Sequence, residues 1–403
     1  MIRPASAGGM PAAEFAAGAE SAPAASPMPD APSVTDAAAA RGAQEPMGKL
    51  YELLGRPSHR QSFYADKGGG SGQGAQTSKA DPLVGAELPG QKGVVIQRSL
   101  GDPQGYHSRN HALAWARAVG SDRAMVVLGN DKRWHAVETN QVGHDASGGA
   151  GKVVDAIQVG KVDPAEYQRL RKEAMENNDP EKWKTFAAYA LGVPREEINV
   201  VRQGDTPSNK HVNINLTRDF DAEGKTAGFD PAKPPWVQLG PKAFDRPANA
   251  CATLAHEEVH ADHHRIASDL FVKYTEYQQG HHKGKEKSFR EWAANTAKSI
   301  QEWRAADIAA GLQDGAHAAT ELEAHIEAAK VAFASGDLDQ ARTDLTKVAT
   351  LPNMPLAQTQ SVSIEVLKNL RDGLSGDALK LFDEVAKKAH PDNVLRDKAL
   401  QPH

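Results

Sequence analysis

The sequence has a single cysteine, Cys251. A lone thiol excludes an intrachain disulfide framework, and a cysteine about one turn ahead of a histidine-rich motif reads as a small buried apolar residue rather than a ligand. Aromatic residues make up only 6% of the chain. That is lean, and it implies that part of the chain does not build a core. There is no run of about 18 apolar residues, so no transmembrane helix is expected. The formal net charge is −5, which leaves no chain-wide basic field to hold nucleic acid. The N-terminus carries Arg3 but no continuous apolar segment, so a standard secretory signal peptide is not expected.

What is present divides into five stretches within 403 residues. Residues 1–48 are mostly Ala, Pro, Ser and Gly, the composition of a disordered segment. Such a segment suits an export address as well as a plain tail. Residues 49–92 read as one short helix, Lys49–Leu54, followed by a linker marked by Gly68-Gly69-Gly70-Ser71-Gly72. Residues 93–220 read as an α/β region. Its strands are expected at Val94–Ile96, Ala124–Leu128, Trp134–Glu138, Ile198–Val201 and His211–Leu216. Its helices are expected from Ser108 to Val119 and from Asp163 to Leu191, the second broken near Asp179-Pro180. His211–Leu216 alternates strictly, which predicts one buried and one polar face. His107, His111 and His135 share no motif and read as ordinary polar or core residues. Residues 221–335 hold the chemistry. Residues 336–403 read as a helical C-terminal region of amphipathic segments.

Within that fourth stretch, Cys251 to Leu270 reads CATLAHEEVHADHHRIASDL and contains His256-Glu257-Glu258-Val259-His260. Residues i and i+4 lie one above the other on a helix, so two imidazoles can converge on one ion. Glu257 can then reach a water beside the metal and take its proton, the arrangement for hydrolysis. The helix is expected from the Leu254, Ala255, Val259, Ile266 and Leu270 stripe, with Asp245 as N-cap and Pro247 in the first turn. Eight of the chain's 16 histidines fall between His256 and His325.

A catalytic zinc needs a third protein ligand and an open position. His263 and His264 lie about 10 Å along the helix axis from His256, too far to share its ion. The extended H-E-x-x-H-x-x-G-x-x-H pattern is absent, since His263 stands where Gly is required and Ile266 where His is required. The third ligand is therefore expected on a later helix, and the candidate segment is Thr320-Glu321-Leu322-Glu323-Ala324-His325.

Here the chain resembles the zincin metallopeptidases of the gluzincin type. In these a downstream Glu completes the site, followed three and four residues later by a small and a polar residue. Glu321, Ala324 and His325 match, so the resemblance implies Glu321 as ligand, with Glu323 the runner-up. It implies an α+β, zincin-like fold with a small mixed sheet and an active-site helix, and the helix expected at Ser288–Ala309 is then an insertion. It implies Zn2+ as cofactor and Glu257 as catalytic base. It also implies that Trp236–Leu239, the strand before the metal helix, forms the cleft edge and pairs with extended substrate. Tyr274, Tyr277, His317 and His325 are candidates for the oxyanion donor, and Asp262 or Asp269 for orienting a ligand imidazole. The motif behind a disordered Ala- and Pro-rich segment is also similar to metalloproteases that bacteria deliver into other cells. That likeness implies a secreted effector or toxin acting on a target-cell protein, with the bacterial cytoplasm as the alternative location.

The expectation is thus a zinc-dependent endopeptidase acting on a protein or peptide. A zinc hydrolase of small substrates shares the motif. A delivered scaffold with an incidental histidine cluster is the non-enzymatic alternative.

Overall fold

Two four-stranded sheets and ten helices form the computed structural model, which describes residues 82–141, 151–230, 232–279, 288–297, 300–313, 318–351 and 357–400. The segments expected at 1–48, at Lys49–Leu54 and in the Gly-rich linker up to residue 81 lie outside these residues. The linker expected to reach residue 92 ends sooner. Leu83, Ala86 and Leu88 are buried against Ile96, Met125, Val127, Val137 and Val153, so residues 82–92 already belong to a core.

The first sheet is antiparallel, in the order β1-β3-β2-β4, from β1 (Val94–Ser99), β2 (Ala124–Gly129), β3 (Trp134–Gln141) and β4 (Val153–Gln158). Its β2–β3 hairpin is the one expected. Strand β4 was not expected, because Val153-Val154-Asp155-Ala156 offers neither alternation nor a long apolar run. Helix α1 (Arg109–Val119) packs beside this sheet, with the Ser108 hydroxyl accepting from the Asn110 backbone N–H at its N-terminus. Helices α2 (Pro164–Asn177) and α3 (Pro180–Leu191) follow. Each opens on an aspartate cap and a proline, and they are separated at Asp179-Pro180 as the sequence predicts.

The second sheet runs in the order β5-β6-β8-β7, from β5 (Ile198–Val201), β6 (Val212–Asn215), β7 (Gly224–Thr226) and β8 (Val237–Leu239). Strands β5, β6 and β8 are parallel and β7 is antiparallel at the edge. Two expectations fail here. All of β6 is buried, including Asn213 and Asn215. The Asn213 side chain donates to the Ser208, His211 and Val237 carbonyls, and Asn215 Nδ2 donates to Gln238 Oε1 at 3.1 Å, so burial costs neither amide its hydrogen bonds. The strand before the metal helix is not the cleft edge, because β6 and β7 take both of its sides. The edge is the three-residue β7, too short and glycine-rich to be seen as a strand.

Helix α4 (Pro247–Gln279) carries the motif. It starts at Pro247, so Asp245 is not its cap; the Asp245 carboxylate pairs with Arg171 at 2.6 Å. The run expected as one helix from Ser288 is split into α5 (Phe289–Thr296) and α6 (Ile300–Gln313). These two pack on the second half of α4, where Phe289 and Trp292 meet Phe271, Tyr274 and Tyr277. Helix α7 (Ala318–Ser335) lies along α4. Helices α8 (Leu338–Thr350), α9 (Ala357–Gly373) and α10 (Gly376–Lys388) form the expected helical C-terminal region.

The boundary expected at residue 220 does not separate two cores. One cluster of buried residues runs from Leu100 to Val331, and its centre is a set of rings, Tyr167, Trp183, Phe186 and Phe244, with centroids 5.1–5.8 Å apart. Nor does a boundary at 335 divide the packing, because Leu322, Ile326 and Phe333 of α7 share a cluster with α8–α10. No helix among the described residues is long and apolar enough to cross a membrane. Cys251 is 1% exposed within this core, and burial pushes its thiol up to about 12. It should resist a soluble disulfide reagent at pH 8 until denaturant is added; modification of the native protein on the minute scale would show that the core opens.

Candidate metal centre

Helix α4 is helical without a break through the motif, so His256 and His260 stand one turn apart on one face. Their Nε2 atoms are 3.1 Å from each other. Glu321, in the first turn of α7, completes the group: its Oε2 is 3.5 Å from His256 Nε2 and its Oε1 is 3.4 Å from His260 Nε2. Tetrahedral coordination with bonds of about 2.0–2.2 Å requires ligand atoms about 3.3–3.5 Å apart. The two His–Glu distances match that edge length and the His–His distance is shorter, and among the described residues this is the one group of His, Cys, Asp or Glu that could hold a metal ion.

Electrostatics favour the same set. Burial lowers the His256 imidazole to about 4, so it is neutral and able to ligate over the physiological range. Burial alone would raise the Glu321 carboxyl. The hydrogen bonds to His256 and His260 outweigh it and hold the group well below the usual carboxylate range. The N-terminal position of Glu321 on α7 acts in the same direction.

Glu257 lies beside this group and is 5% exposed. Burial raises its carboxyl to about 7, despite the hydrogen bond from Thr226. Thr226 Oγ1 donates to Glu257 Oε2 at 2.7 Å and lies 3.0 Å from the Glu257 carbonyl oxygen. Gly224, two residues earlier on β7, leaves the carboxylate its room: a Cβ there would stand 2.5 Å from Glu257 Oε1 and 2.8 Å from Thr253 Cγ2. Edge strand β7 therefore both holds and accommodates the acid.

No protein-family model, curated protein or solved structure matches this chain.

The other expected site residues are distributed as follows. Glu323, the runner-up ligand, faces away from the metal group, receiving a hydrogen bond from Arg304 Nε at 2.7 Å and meeting His263 Nε2 at 2.7 Å. His264 packs edge-on against Phe229. Asp262 pairs with Arg265, and Asp269 is exposed, so neither orients a ligand imidazole. Tyr274 and Tyr277 belong to the aromatic cluster around Trp292, and His317 lies outside the described residues. His325 is the expected donor that reaches the centre. Its Nε2 is 3.6 Å from Glu321 Oε2 and its ring lies 4.5 Å from that of His256. His111 and His135 are buried and paired with Glu327 and Asp131, the ordinary roles expected of them.

Thr226 and Gly224 were missed because β7 carries no strand signal. Gln340, Asp344 and Lys347 of α8 were also missed, and they line a pocket of 210 Å³ beside His256 and Glu257. Nothing in a surface-type amphipathic helix announces that its face closes on a site 80 residues upstream.

Two outcomes are expected. His260→Ala should abolish stoichiometric metal binding measured by elemental analysis; retained metal would move the centre elsewhere. Gly224→Ala should keep the metal but displace the Glu257 carboxylate, with a loss of about 10²-fold in any hydrolysis the protein performs.

Proposed function

We propose that the protein is a zinc-dependent endopeptidase. The observation that carries this reading is the placement of Glu257, held by Thr226, beside two imidazoles and a carboxylate close enough together to hold one ion. Two imidazoles and one carboxylate form the donor set of a hydrolytic zinc site with a position left for water or substrate. Zinc bound there supplies a Lewis acid that polarises a carbonyl and lowers the pKa of water.

The chain's own groups do the rest. Glu257 takes a proton from the attacking water through the carboxylate that Thr226 orients, and passes it to the departing amine as the C–N bond breaks. His325 stands one helical turn from the ligand Glu321, where an imidazole N–H can meet charge developing on a carbonyl oxygen. Support for a peptide substrate comes from β7. An edge strand has backbone donors and acceptors on its outer side, and an extended peptide added there passes next to Glu257.

Glu257→Gln tests the reading. It should leave zinc bound and lower kcat on a mixed peptide library by about 10²–10⁴-fold, the usual contribution of a positioned base. Undiminished cleavage would remove Glu257 from its role. A zinc-loaded wild type that cleaves no peptide would remove the peptidase reading.

A further inference from the structure

The pocket beside the metal centre is lined by Glu223 and Gly224 on one side, Thr253, His256, Glu257 and His325 on another, and Gln340, Asp344 and Lys347 on a third. At 210 Å³ it is smaller than the roughly 300–1,000 Å³ of pockets that enclose whole small ligands, so it is sized for a side chain. It opens against the catalytic base, so what enters it belongs to the residue next to the bond being attacked.

Its chemistry is polar. Asp344 is 3% exposed. Gln340 Nε2 donates to its Oδ2 at 2.9 Å. Its Oδ1 has only longer contacts, 3.6 Å to His325 Nδ1 and 3.9 Å to Lys347 Nζ, both beyond hydrogen-bond reach. A buried carboxylate oxygen facing a pocket without a short donor is a receptor for one. The group nearest that position is itself a cation, Lys347, with its side chain 44% exposed and free to swing aside. Glu223, half-buried on the opposite wall, adds a second negative charge. Leaving out Glu257, which handles the proton, two carboxylates face one lysine.

We infer that this pocket is a subsite for a basic side chain of the substrate, arginine or lysine, with the Asp344 carboxylate as its receptor and Lys347 as the cation that holds the place when the pocket is empty. The inference rests on the hydrolase reading of the metal centre and narrows it to substrates with a basic residue beside the scissile bond. An arginine fits best, because its guanidinium can donate to Asp344 Oδ1 while its stem lies along Ala328 and Thr253.

The test uses metal-binding probes that need no turnover. Malonyl hydroxamates coupled to arginine, leucine or glutamate amide are titrated calorimetrically into the zinc-loaded full chain, with acetohydroxamate as the reference. The arginine probe should bind roughly tenfold tighter than the leucine probe, the scale of a hydrogen bond to a charged group, and the glutamate probe weakest. Asp344→Asn should erase the arginine advantage with zinc content unchanged. Lys347→Ala, at the exposed mouth, should widen it. Equal affinities for the three probes, or a preference for leucine or glutamate, overturns the subsite. If the zinc-loaded chain binds none of the hydroxamates, acetohydroxamate included, the open metal centre itself fails and the subsite with it.

Discussion

The structure depends on how α7 lies against α4. Two carboxylates on α7, the buried Glu327 and the half-buried Glu323, lie on the side away from Glu321, and each is matched. Glu323 meets His263 of α4 and Arg304 of α6. Glu327 receives Trp115 Nε1 at 2.7 Å and Lys330 Nζ at 2.6 Å, and contacts His111 of α1. Burial alone would raise both acids; the Arg304 and Lys330 charges outweigh it and hold both well below the usual range. Removing one partner from such a pair costs about 3–5 kcal/mol, because a charge is left uncompensated. A slip of α7 by one turn would break the Glu323 contacts with His263 and Arg304 and the Glu327 contacts with Trp115 and His111 together, leaving only the Glu327–Lys330 pair within α7. This locks the helices in the one register that brings Glu321 to His256 and His260.

The second sheet supplies the other half of the centre. Parallel strands β6 and β8 are buried on both faces, with the half-buried β5 on one side and β7 on the outer edge of β8. From there Thr226 reaches Glu257, and the missing side chain of Gly224 leaves the carboxylate its space. A buried layer thus presents a short, partly exposed edge strand beside Glu257. Helix α8 closes the third side. Helix α8 is consequently part of the pocket's wall, through Gln340, Asp344 and Lys347.

Much of the fold is legible from local signals. Ser108, Asp163 and Asp179 are capping residues with their helices directly behind them, and Ala124–Glu138 reads as a hairpin from its apolar run, turn and return. What failed was anything set by neighbours distant in sequence. The alternation of His211–Leu216 promised a polar face, but partners from β5 and β8 satisfy its asparagines and let both faces be buried. The strand ahead of the metal helix promised an edge, but β7 covers it.

The sequence by itself determined that His256 and His260 share one face with Glu257 next to the first of them, because i, i+4 spacing on an uninterrupted helix places two imidazoles on one face whatever surrounds them. It determined that the third ligand lies in Thr320–His325 only by resemblance, and it left Glu321 and Glu323 as rivals. Tertiary structure decided between them. The two acids point to different sides of α7, one toward the His256 and His260 imidazoles and the other toward the Arg304 guanidinium, and only the packing of α4, α6 and α7 determines which side faces which.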